Sequence, residues 1–126
     1  MGAGGSAGSS GGQSSLDAAL NHLKSDYPLN SKGYFGEIGR SGSEDKRQIN
    51  SADPLATFHE IGNTLTFGAQ RDDGVVVKNG VSFLHPDGTR INLRQPSSSG
   101  SPAIDITSNN AKLATQRIHF EGETDG

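Results

Sequence analysis

Residues 90–106 read RINLRQPSSSGSPAIDI. Apolar and polar side chains alternate at both ends of this segment, which is the period of a β-strand with one buried face. The middle is rich in serine, glycine and proline, a composition typical of a loop. We therefore expect a strand that carries arginines, a loop rich in hydroxyl groups, and a second strand that carries one carboxylate, Asp105.

The flanking residues predict further strands. Asn79-Gly80 separates two apolar runs and favours a two-residue hairpin, because both residues tolerate positive φ. Which side of this hairpin faces inward stays open, since its apolar side chains alternate to both faces. We expect strands at residues 75–78, 81–84, 89–95, 103–107 and 115–121. The first three should form an antiparallel meander.

Two helices are predicted before these strands. Apolar residues at i, i+3, i+4 and i+7 indicate a short helix from residue 15 to about 26. Asp53 and Pro54 are typical of the N-cap and first position of a second helix, which should end near residue 65. Residues 29–50 are expected to be irregular, with self-neutralised surface charges. The predicted fold is α+β, with two short N-terminal helices packed on a four- to five-stranded antiparallel sheet.

Composition restricts the class of protein. The chain has 126 residues, and residues 1–14 are almost entirely glycine, serine and alanine, so we expect a flexible linker over 1–14 and one domain over 15–126. A flexible segment before the domain is typical of a domain that forms the C-terminal part of a longer protein. The absence of cysteine excludes disulfides and thiolate zinc sites. No apolar run approaches the roughly 20 residues that a membrane helix needs, so no membrane partner is expected.

The chain is slightly acidic, with a formal charge of -3 and a pI near 5.7. A domain that coats nucleic acid through its overall potential is usually basic, which argues against that class and leaves a local basic site open. Residues 59–63 read HEIGN and lack the second histidine of the His-Glu-x-x-His zinc motif. We therefore expect neither a metal ion nor a cofactor.

Alternation divides the side chains of the later strands between two faces of the sheet. The isoleucine, leucine and phenylalanine side chains of segments 90–94, 103–107 and 115–121 are expected to point inward. If these strands share one sheet with one buried face, the other face carries a polar set. The same alternation is expected for the solvent-exposed side of any such sheet. Periodicity alone therefore does not distinguish a functional site from an ordinary solvated face. The polar set comprises Arg90, Arg94, Asp105, Thr107, Arg117 and His119.

This polar set suits the cleavage of RNA without a metal ion. The reaction needs a base for the 2′-hydroxyl proton, an acid for the leaving 5′-oxygen, and cations around the phosphate as charge builds up. His119 can fill either proton role, and Arg94 can bind a phosphate with two hydrogen bonds. Asp105 can hold the imidazole in one orientation, and the serines of residues 97–101 add hydroxyl donors.

Four segments carry a resemblance to a known family. Together, in this order and spacing, they resemble the C-terminal toxin domains of bacterial polymorphic toxins of the contact-dependent inhibition and filamentous-haemagglutinin type. The resemblance covers roughly residues 45–120. The segments are RQINSADPLAT (47–57), DGTRINLR (87–94), SSSGSPAIDI (97–106) and QRIHF (116–120).

The resemblance implies a ribonuclease of the barnase, EndoU, colicin and RelE type that is used in interbacterial competition. The domain would be secreted as the C-terminal part of a larger protein and would act in the cytoplasm of a target bacterium. Its partners would be RNA, such as tRNA or rRNA, and a cognate immunity protein, and we expect a monomer. The predicted catalytic residues are His119, Arg94, Asp105, Ser98 and Ser99, and the predicted substrate-binding residues are Lys78, Arg90, Arg117 and Ser97.

Two alternatives stay open. The first is a non-enzymatic binding or adhesin-tip module of a secreted surface protein, whose sheet presents polar side chains to a carbohydrate or protein. The second is a toxic enzyme of another kind, such as a transferase that acts on a nucleotide. His59 and His85 do not belong to the resemblance, and a role for either requires structural support.

Overall fold

A computed structural model describes residues 15–95 and 101–122. The strands of this part form one seven-stranded sheet in the order β1-β2-β7-β6-β5-β4-β3. Helix α2 packs across one face of the sheet and helix α1 packs against α2. Neither helix is long and apolar enough to cross a membrane. The elements are α1 (Ser15–Leu23), β1 (Glu37–Ile38), β2 (Lys46–Ser51), α2 (Pro54–Thr66), β3 (Gln70–Arg71), β4 (Gly80–Leu84), β5 (Arg90–Arg94), β6 (Ala103–Thr107) and β7 (Gln116–Gly122).

The predicted sheet of four to five antiparallel strands is wrong, although the fold is still α+β. The sheet is mixed, because β2 and β7 lie side by side and run parallel. Strands β1 and β3 have two residues each, too few for alternation to be recognised. Strand β2 was missed because Arg47 occupies one of its buried positions, so the segment lacks an apolar period.

The predicted hairpin around Asn79-Gly80 is also wrong. Residues 75–78 are not a strand, and the side chain of Val76 is 94% exposed. The Asp72 carboxylate accepts a hydrogen bond from the Gly74 N–H at 3.1 Å, which forms a turn at the start of the valine run. Asn79 adopts a positive φ of 61°, as the Asn-Gly pair predicts. Strand β4, which follows, pairs with β5 on one side and with the short β3 on the other.

Helix α2 begins as the sequence predicts. The side chain of Asp53 accepts a hydrogen bond from the backbone N–H of Ala56 at 3.1 Å, which satisfies a donor that the first turn leaves unpaired. The buried side of the helix faces the sheet, where the ring of Phe58 meets that of Phe120 edge to face at 5.8 Å. The hydrophobic core lies between the helices and this inner face of the sheet.

Arg47 and Gln116 attach the segment before β2 to the sheet. Arg47 is 4% exposed and donates hydrogen bonds to the backbone carbonyls of Phe35 and Gly36, both at 2.8 Å, and of Glu44 at 2.9 Å. Gln116 is also buried, and its side-chain oxygen accepts from the Phe35 N–H at 2.8 Å. The charged segment expected to be irregular surface therefore contains two strands and a buried arginine that positions the chain.

Candidate functional site

The outer face of the sheet, opposite the helices, carries polar side chains in rows that cross several strands. Neighbouring strands lie about 4.8 Å apart, so side chains within a row are within reach of one another. In one row the register places side by side Gln48, His119, Ala103 and Arg94. The adjacent row contains Lys46, Arg117, Asp105 and Asn92.

His119 and Arg94 flank the small residue Ala103 in the first row. Their backbones are therefore two strand spacings apart, about 10 Å. Ala103 is 2% exposed, so neighbouring side chains cover its methyl group. The imidazole and the guanidinium therefore lie on the same face, on either side of a buried small residue.

The carboxylate of Asp105 contacts both arginines of the site. Arg117 Nε donates a hydrogen bond to Asp105 Oδ1 at 2.7 Å. Arg94 Nε lies 2.9 Å from Oδ2 as an ion pair, but its N–H is not aligned with the carboxylate, and the hydrogen bond comes from Nη2 at 3.4 Å. Because two arginines share one carboxylate, the cluster keeps a net positive charge and unused N–H donors.

Asp105 was predicted to orient His119, and the structure gives it different partners. Among the described residues its carboxylate hydrogen-bonds to Arg94 and Arg117 and makes no hydrogen bond to the imidazole.

The environment of His119 favours the neutral imidazole. Partial burial lowers the pKa of this group below its usual value of 6.5, and the cationic side chains of Arg117 and Arg94 lower it further. The carboxylates of Glu121 and Asp105 oppose this effect without overcoming it. At neutral pH the side chain is therefore a proton acceptor.

The remaining predicted residues lie in three different situations. Arg90 is on the same face as Arg94, but its Nη1 is held by Asp72 at 3.0 Å and by Ser82 at 2.9 Å. Lys78 is exposed in the connection before β4 and does not belong to a strand. Ser97, Ser98 and Ser99 lie outside the described residues.

A groove of about 330 Å³ adjoins His119 on the side of β2. Part of its lining was missed from the sequence. Lys46 and Gln48 alternate correctly for the outer face, but they lie in the segment that was expected to be irregular. The groove is lined by the turn 39–41, by Lys46, Arg47 and Gln48 on β2, and by Arg117, His119 and Glu121 on β7.

His59 and His85 lie away from this groove. His85 is 3% exposed, and its Nε2 lies 2.6 Å from the carbonyl oxygen of Leu65 in α2, so it ties β4 to that helix. His59 is exposed on α2, which packs on the other face of the sheet. Within residues 15–95 and 101–122, no cluster of three or more histidine and carboxylate side chains could hold a metal ion.

Comparison with known proteins found no matching family model, no matching curated protein and no matching solved structure.

Proposed function

We propose that this chain is a ribonuclease toxin domain that cleaves RNA by attack of a 2′-hydroxyl group on the adjacent phosphate, without a metal ion. The observation that supports this proposal most is the combination of a neutral histidine, His119, with two arginines on one open face of the sheet. Such a domain would act in the cytoplasm of a competing bacterium and would be blocked by a cognate immunity protein.

The proposed reaction begins when His119 accepts the proton of the 2′-hydroxyl group. The resulting 2′-oxygen attacks phosphorus, the bond from phosphorus to the 5′-oxygen breaks, and a 2′,3′-cyclic phosphate forms. Arg94 and Arg117 would bind the non-bridging oxygens, on which negative charge increases in the transition state. The leaving 5′-oxygen takes its proton from water.

Asp105 would act on the phosphate through the two arginines. Its ion pairs fix the directions of both guanidinium groups before the substrate binds, so less conformational entropy is lost when the phosphate binds. A phosphate bound at this cluster would then meet one cation from β5 and one from β7, with the imidazole on the same face of the sheet.

Incubation of the purified chain with total RNA tests the proposal. We expect cleavage that persists in EDTA, leaves 2′,3′-cyclic phosphate ends, and falls by about 10²- to 10⁴-fold in His119→Ala, the usual contribution of a general base. The matched control is His59→Ala, which removes an exposed histidine on the helical side and should retain full activity. Intact RNA in every condition would refute the enzymatic proposal, and loss of cleavage with EDTA would refute the metal-free mechanism.

Expression in bacterial cytoplasm distinguishes a toxin from a non-enzymatic binding module. We expect growth arrest with the parent chain and normal growth with Arg94→Ala or His119→Ala. Normal growth with well-expressed, folded parent chain would contradict the toxin proposal.

A further inference from the structure

Two buried polar atoms on the outer face have no hydrogen-bond partner among the described residues. They are Oδ1 of Asn92 and Nε of Arg94, an acceptor and a donor that belong to residues two positions apart on β5. Buried polar groups in folded proteins nearly always have a partner, so an unpaired acceptor and an unpaired donor on one strand require an explanation. They concern the candidate site directly, because Arg94 is one of the two arginines proposed to bind the phosphate.

The strand register brings these two atoms into the same patch. Asn92 lies directly opposite Asp105 on β6, with about 5 Å between their Cβ atoms, whereas Arg94 lies opposite Ala103. Arg94 therefore reaches Asp105 only by extending along its own strand towards Asn92. Its Nε lies 2.9 Å from Asp105 Oδ2, but the N–H is not aligned for a hydrogen bond to that oxygen.

The strand neighbours of Asn92 give its side-chain oxygen no donor. Asp105, as a carboxylate, offers only acceptors. On the other side Ser82 lies opposite Asn92, and the Ser82 hydroxyl is engaged with Arg90, whose Nη1 lies 2.9 Å away. The unpaired donor on the same strand is the Nε–H of Arg94.

A bound phosphate would change the balance between the partners of Arg94. Phosphate and the Asp105 carboxylate are both anionic, so they repel each other when both contact one guanidinium. Arg117 holds Asp105 by the better hydrogen bond, from Nε at 2.7 Å. Arg94 holds it by a longer one, from Nη2 at 3.4 Å. The contact between Asp105 and Arg94 is therefore the one that a phosphate would displace.

We propose that Asn92 is a positioning residue for Arg94 that acts when an anion is bound. In the free chain the guanidinium contacts Asp105. When phosphate binds, the guanidinium turns so that Nε–H donates to Asn92 Oδ1 while the two Nη groups face the phosphate. A neutral amide then replaces a carboxylate as the partner, so the charge of Arg94 is directed to the phosphate and the side chain is still held in place. This inference rests on the phosphate contacts of the proposed function and not on the cleavage of RNA.

Titration of the parent chain and of Asn92→Leu with inorganic phosphate tests this role. The titrations are done at pH 7 and constant ionic strength, and carbon-detected NMR follows the side-chain resonances of Arg94 and Asn92. In the parent chain we expect the Arg94 Nε and Asn92 Cγ resonances to move together, because a hydrogen bond forms between the two groups. We expect phosphate to bind Asn92→Leu about 10-fold more weakly, as for the loss of one hydrogen bond to a charged group.

The stability of the free chain separates a positioning role from a structural one. Because Asn92 Oδ1 has no partner in the free chain, Asn92→Leu should weaken phosphate binding without lowering the free energy of unfolding in urea. A structural role would give the opposite pattern, a loss of stability with unchanged phosphate affinity, and that result would overturn the proposal. Asn21→Leu is the matched control: it makes the same change at an exposed position on α1 and should leave phosphate binding unchanged.

The same titrations separate this inference from the ribonuclease proposal. Equal phosphate affinity of the parent chain and Asn92→Leu overturns the role of Asn92 and leaves the ribonuclease proposal standing. Stationary Arg94 Nε and Asn92 Cγ resonances at saturating phosphate, or no phosphate binding by the parent chain, also overturn that role, even if Asn92→Leu does not fold. The expected response to phosphate in a chain that cleaves no RNA supports the role of Asn92 and overturns the ribonuclease proposal.

Discussion

Replacing Arg47 by methionine should destabilise the fold, although an arginine on a strand of a small domain would ordinarily be assigned to the surface. The side chain is 4% exposed and donates three hydrogen bonds to backbone carbonyls of the segment before β2. Methionine replaces the apolar stem but not the guanidinium, whose carbon lies 5.0 Å from the centre of the Tyr34 ring. The substitution therefore removes the hydrogen bonds and this cation–π contact and retains the packing of the stem.

The expected loss follows from the three carbonyls. An acceptor that is buried and loses its donor costs about 1–3 kcal/mol, and a typical hydrogen bond contributes about 0.5–1.5 kcal/mol net. The bond to Phe35 is buried, whereas those to Gly36 and Glu44 are partly buried, so water replaces them in part. Relief from burying a cation opposes these terms. We expect a decrease of about 2–4 kcal/mol in the free energy of unfolding.

Urea unfolding followed by far-UV circular dichroism measures this loss, since the chain contains no tryptophan. Arg71→Met is the matched control: it also removes one positive charge, but Arg71 is 59% exposed and its ion pair with Asp73 lies at the surface. We expect the control to change stability by less than about 0.5 kcal/mol. If the two variants unfold at the same urea concentration with the same slope, the structural role assigned to Arg47 is wrong.

Three further predictions concern the site and the core. The pKa of His119 is lower in the folded than in the unfolded chain, so the unfolded chain takes up a proton at this side chain first as pH falls below 6.5. The free energy of unfolding should therefore decrease as pH falls through that range. Urea unfolding at several pH values should show a weaker pH dependence for His119→Gln than for the parent chain. Asp105→Asn removes a carboxylate that raises the pKa of His119 and leaves two cations that lower it, so an imidazole NMR titration should show a lower pKa, and a rise would contradict the geometry. Gly62→Val should cost about 1–3 kcal/mol, because a Cβ there lies 3.1 Å from Leu93, whereas Ala56→Val on the exposed side of the same helix should cost about 0.5 kcal/mol or less.

Strand β7 carries three of the side chains that line the groove. Arg117, His119 and Glu121 alternate onto the same face of this strand. Strand β7 is also an interior strand, paired with β2 on one side and β6 on the other. Such a strand holds functional side chains more accurately than a loop does.

The sequence by itself determined those elements that depend only on residues close together in the chain. Asp53 and Pro54 predicted the start of α2, and the side chain of Asp53 does cap that helix. Alternation within residues 90–94 and 103–107 predicted that Arg94 and Asp105 would leave the core together, and they do so as an ion pair. Each of these outcomes depends on a period of a few residues, which is visible in one sequence.

The tertiary structure decided which strands became neighbours, and thereby the composition of the candidate site. The parallel pairing of β2 with β7 joins Lys46 to the register position of Arg117, far away in the chain, and no local period encodes that pairing. The same pairing brings Gln48 beside His119 and creates the groove. Strand β2 itself was hidden because Arg47 is stabilised inside by backbone carbonyls and not by apolar contacts. Hydrophobic alternation reports which side chains leave water, and it does not report a buried cation or the partner that a strand will find.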